Sequence, residues 1–177
     1  MNWIKKILGR TGPPNPSGPH VDYGRPHWLV SGIYDIPKFF LVFMDLVPDG
    51  ALIYFGESCC EGDLKAFFER NAVPVPTSSR STNRSLWPKG VYIQATRQNI
   101  TCLADLTNHY AELDVASEIH VRLGETVIIE WALFDPPPIV SSYFDEEALR
   151  NICATHHLRA MLCDQCSKHW DAETKKN

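Results

Sequence analysis

The sequence predicts an α+β fold: an antiparallel or mixed sheet built from two β-hairpins and packed against about three helices. Three observations predict it. Aromatic and β-branched runs flank Pro48-Asp49-Gly50, where proline presets φ and glycine accepts positive φ, so residues 38–56 read as a first hairpin. Ile119, Val121 and Leu123 alternate with Glu118, His120 and Arg122, then Gly124-Glu125 turns the chain into the apolar run 127–134, a second hairpin. Between and after these, apolar residues recur at helical spacing in three stretches.

Taken in order, residues 27–34 are a strand ahead of the first hairpin. Ser58-Cys59-Cys60-Glu61 has capping-box spacing, and Leu64, Phe67 and Phe68 line one face of the helix it opens, which Asn71 and Pro74 stop. Residues 74–90 are a polar, locally basic loop with Arg80, Arg84 and Lys89. Val91 to Ala95 is a short strand. Leu103, Leu106, His109, Tyr110 and Leu113 mark a second helix capped by Asn99 or Thr101. The run 127–134 is apolar on both faces, which places it mid-sheet until Pro136-Pro137-Pro138 ends it. Asp145-Glu146-Glu147 opens a third helix carrying Ala148, Leu149, Ile152 and Cys153. The expected core is Phe40, Val42, Ile53, Phe55, Leu64, Phe67, Leu106, Tyr110, Val121, Ile129, Trp131 and Leu149.

Two parts are expected along the 177 residues: an arm, 1–24, and one α+β domain, 25–177. Trp3, Ile4, Ile7 and Leu8 stand opposite Lys5, Lys6 and Arg10 in a short basic amphipathic helix, and a proline- and glycine-rich linker follows. That helix gives residues 1–10 a weak affinity for membrane surfaces. The apolar stretch there is too short for a signal-peptide core, and there is no run long enough to span a bilayer, so the expected location is cytoplasmic and the six cysteines read as thiols. A net charge of −4 argues against nucleic acid as a partner, because phosphate is collected by a basic field.

The most chemically pointed stretch is C-terminal. Cys153 and His156 are three apart near a helix end, and Cys163 and Cys166 follow as Cys-x-x-Cys. These four would make a closed Cys3His structural zinc site, with His157 and His169 as spare ligands. Against it, the spacer carries Leu158, Met161 and Leu162, which also fit a buried strand with Cys163 as core filler. Cys59 and Cys60 fall at the start of the helix at 58–71, where a helix N-terminus favours thiolate. A cysteine-dependent enzyme using Cys59 or Cys60 would need a histidine beside them, such as His109 or His120. His20, His27 and His120 are isolated in sequence and read as surface or core histidines.

There is no phosphate-binding glycine loop, no His-Glu-x-x-His and no Gly-x-Ser-x-Gly elbow. The expectation is therefore a non-catalytic intracellular module whose partner is another protein, an adaptor, inhibitor or immunity-type partner. The alternatives are a small zinc-binding protein and the cysteine enzyme.

Overall fold

Matched alternation across strands decides which side of a sheet is apolar, and here one apolar row runs through nearly every strand. The computed structural model describes residues 20–56, 58, 60–74, 90–132 and 137–163. The strands are β1 (His27–Ser31), β2 (Leu52–Gly56), β3 (Ala72–Val73), β4 (Val91–Gln94), β5 (Glu118–Leu123), β6 (Thr126–Ala132), β7 (Ile139–Ser141) and β8 (Arg159–Cys163). They form one antiparallel sheet in the order β3-β4-β2-β5-β6-β7-β1-β8. Register pairs Ile93 with Ile53, Ile53 with Val121, Val121 with Ile129, Ile129 with Val140, and Val140 with Trp28. Paired residues share a face. All six belong to a single buried cluster with the helices' apolar residues, so the helices pack on that face.

The helices among the described residues are α1 (Ile36–Phe43), α2 (Gly62–Asn71), α3 (Arg97–Thr107), α4 (Glu112–Val115) and α5 (Glu146–Thr155). The α+β class is as the sequence predicts, and the central position of β6 is too. The first hairpin is not. Residues 36–43 are helical, because Asp35 caps Lys38 N at 2.7 Å, Pro37 opens the first turn, and Ile36, Phe39, Phe40 and Phe43 form a stripe of period 3.6. Their aromatic and β-branched content pointed to a strand, but Phe39 stacks on Trp131 at 5.2 Å, and burial of that stripe decides the outcome.

The capping box at 58–61 does not form either. Glu61 is the N-cap of α2 without a side-chain bond. The Ser58 hydroxyl turns instead to Cys60 Sγ at 3.1 Å, and Tyr110 lies over the helix start, donating to Glu61 O at 3.0 Å. Helix α3 starts earlier than expected, capped by Thr96. Of the expected core, Leu106 and Tyr110 pack partly exposed against the cluster and the other ten residues are buried.

Residues 20–24, the end of the expected arm, are docked on the sheet, with Val21 2% exposed. The amphipathic helix and the linker before them lie outside the described residues, as does the basic part of the loop at 75–89. Among the described residues no helix is long and apolar enough to cross a membrane.

Candidate metal centre

The sheet's other face carries a polar row. Tyr92, Tyr54, His120 and Glu130 are consecutive register partners across β4, β2, β5 and β6. The rings of Tyr54 and Tyr92 lie 5.0 Å apart, and those of Tyr54 and His120 5.4 Å. His120 and Glu130 are 1% and 6% exposed.

A β-bulge puts Glu130 in this row. Next to the turn, Leu123 pairs Thr126 and Arg122 pairs Val127, but beyond it Val121 pairs Ile129 and His120 pairs Glu130, which leaves Ile128 as the extra residue. Without the bulge the same turn would set His120 against Ile129 and Ile119 against Glu130. That would drive a carboxylate into the helix-covered core. One inserted residue reverses the side to which every later side chain points, so the bulge both rescues the core and builds the site.

The segment before β1 covers Glu130. His20 Nδ1 lies 2.9 Å from one carboxylate oxygen, and the Val21 amide donates to the other at 2.9 Å. The Tyr23 phenol also interacts with Glu130. Burial first, then the charges of Glu130 and Glu118, push the Tyr23 phenol far above its ordinary value, so it is a neutral donor. For Glu130 itself burial is the largest influence and raises its pKa. The hydrogen bond from His20, the imidazole charges and the Val21 amide together outweigh it, so the net shift is downward. Glu118 follows the same pattern: burial raises its pKa, while contact with His120 and the charge of His20 lower it overall. Both carboxylates are therefore ionised at neutral pH. Among the described residues, their ion-pair partners are histidines rather than lysine or arginine.

His120 Nε2 is 3.4 Å from Glu118 Oε2, close enough for ion pairing but poorly aligned for a hydrogen bond. Its Nδ1 is buried and has no partner among the described residues. A buried imidazole with one nitrogen facing a carboxylate and the other unmatched is the arrangement in which a carboxylate orients histidine for a metal ion. His20, His120 and Glu130 each offer a ligand atom, all within 4.8 Å of one another, and among the described residues they are the one such group of three. Zinc bonds of about 2.0–2.2 Å in tetrahedral geometry place ligand atoms ~3.4 Å apart, so small shifts of these side chains suffice.

Of the four residues expected to hold zinc, Cys153, His156 and Cys163 are described. Cys153 is 4% exposed, and burial raises its pKa against the opposing charge of Arg150, so it stays a thiol. His156 is the C-cap of α5, and His157 follows in the left-handed region at φ 56°. Leu158 N donates to Cys153 O at 2.7 Å and His157 N to Ala154 O at 3.3 Å, which is a Schellman ending with Leu158 folded onto the core. This stretch is a helix terminus. Cys163, on β8, is disulfide-bonded, which departs from the expectation of a thiol there, and Cys166 lies outside the described residues. The described members of that set do not form a close ligand group. Cys60 precedes the α2 N-cap and packs toward the helix-side core, away from His120 on the opposite face, and Cys59 lies outside the described residues.

The sequence reading missed His20, His120 and Glu130 because they are far apart in the chain. The available signals were the polar alternation of β5 and the lone acid within the apolar run of β6. Comparison with protein-family models, curated proteins and solved structures finds no match, so the functional reading rests on the chemistry of these side chains.

Proposed function

We propose that this chain binds one divalent transition-metal ion of the zinc type through His20, His120 and Glu130, with Glu118 orienting His120. The observation that carries the reading is the buried, unpartnered nitrogen of His120 within a close group of two imidazoles and a carboxylate. A buried carboxylate, Glu130, beside a second, partly buried one, Glu118, calls for a cation, and a divalent ion supplies that charge. Two nitrogens and one oxygen are donors suited to zinc, and three protein ligands leave a fourth position for water. Glu130 fits a ligand that binds through one oxygen while the other accepts the Val21 amide. The ion would join residue 20 to strands a hundred residues later and so act as an internal staple.

Zinc titration against a chromophoric chelator tests this. The expected result is one zinc per chain, abolished by His120→Ala and weakened about 10–100-fold by Glu118→Gln. Cys153→Ser should leave it unchanged. Loss of binding in Cys153→Ser, or stoichiometric binding that survives His120→Ala, would contradict the assignment.

A second reading, the protein-interaction module, is favoured by the edge strand β8. Met161 and Leu162 there are 59% and 43% exposed, β8 is the last strand of the sheet among the described residues, and a sheet edge is a template for a partner's strand. In that reading the chain is cytoplasmic and its partner is another protein. Met161→Lys should then abolish association without changing zinc affinity.

A further inference from the structure

We propose that the ion works as a gate on the segment 20–25, clamping it to the sheet when bound and releasing it when withdrawn. This rests on the metal assignment above. Three polar groups of the segment converge on one side chain. The His20 imidazole, the Val21 amide and the Tyr23 phenol all meet the Glu130 carboxylate.

Three further polar contacts lie within the turn, and the Arg25 carbonyl meets His27 Nδ1 of β1 at 3.0 Å. Asp22 accepts from Gly24 N at 3.0 Å and Arg25 N at 3.1 Å, and it pairs with the Arg25 guanidinium at 3.3 Å. The segment is thus a preformed turn that can leave the sheet as a unit. Val21 is its one buried apolar anchor. Tyr23 meets the ring of His27 edge-on at 5.5 Å, but His27 already belongs to β1, which two neighbouring strands hold.

One buried apolar anchor and polar contacts gathered largely at Glu130 mark an element of lower local stability than the sheet beside it. Without the ion, a contact of 2.9 Å between His20 Nδ1 and the Glu130 carboxylate holds the segment there. With it, His20 and Glu130 become ligands of one centre, and leaving the sheet would break a metal bond. Metal loading is then communicated to the chain that precedes residue 20.

Hydrogen exchange on the full chain, with stoichiometric zinc or with EDTA, tests the gate. The expected result is about tenfold slower exchange with zinc for amides of residues 21–25, with amides of β2 and α3 unchanged. Zinc bound at one per chain with equal exchange in 21–25 would overturn the gate while leaving the metal site standing. A uniform slowing across the chain would also overturn it, because the ion would then be a global staple. Absence of zinc binding would remove the site and the gate together. Glu130→Gln should exchange rapidly in 21–25 whether or not zinc is added.

Discussion

The two faces of the central sheet are made from the same strands and obey different rules. On the helix side, Ile53, Val121, Ile129 and Trp131 meet α1 in a continuous apolar cluster, and any residue of about the right size and polarity would serve. On the other side, Tyr54, His120 and Glu130 must be particular residues in a particular register, and a single extra residue, Ile128, sets that register. The comparison teaches that the first face is a matter of composition and the second a matter of geometry. The two should fail differently.

Deleting Ile128 attacks both at once and should have the largest effect. It turns Glu130 toward the core and Trp131 away from Phe39, and an uncompensated buried charge plus a lost aromatic should cost about 5 kcal/mol or more. Urea denaturation would show a protein that no longer unfolds cooperatively. Retention of normal stability would mean that the bulge can relocate and does not fix the site. Phe39→Ala breaks the apolar face alone. It should cost about 3–5 kcal/mol by the same assay while leaving zinc stoichiometry unchanged in the fraction that remains folded.

How much of each face was legible follows from that difference. Period-2 alternation in 118–123 and the apolar run after it identified Val121, Ile129 and Trp131 as core, because burial needs only pattern. The stripe Ile36, Phe39, Phe40, Phe43 was read as strand, since short aromatic runs satisfy both periods and Asp35 and Pro37 carried the deciding signal. The candidate metal centre was illegible. Nothing local announces a bulge, and counting back from Gly124-Glu125 pairs His120 with an isoleucine. The attention drawn by Cys153, His156 and His157 belonged to a helix ending, where Leu158 folds back over Cys153.

Smaller perturbations sharpen the contrast. In metal-free protein Glu130→Gln should cost about 1–3 kcal/mol, because it leaves imidazole, amide and phenol donors around a weaker acceptor. Its pH signature is specific. Glu130 has a pKa lowered in the folded chain from an ordinary value of 4.5, so its stabilisation is full above that value and is lost as pH falls through the folded value. Melting temperature in EDTA should therefore drop below about pH 4.5 in the wild type and drop less steeply in Glu130→Gln. Parallel curves for the two would show that Glu130 is not held ionised by His20 and Val21. The smallest effect expected is a gain. His157 sits at φ 56°, so His157→Gly should raise stability by up to about 1 kcal/mol with unchanged zinc affinity, as a helix terminus requires and a metal ligand would not.

The most direct test is an anomalous difference map at the zinc edge from crystals grown with stoichiometric zinc. The account predicts one strong peak within about 2.0–2.2 Å of ligand atoms from His20, His120 and Glu130. A peak at Cys153 and His156 instead, or a zinc-free cluster in which the His120 ring has found a protein partner for Nδ1, would contradict it.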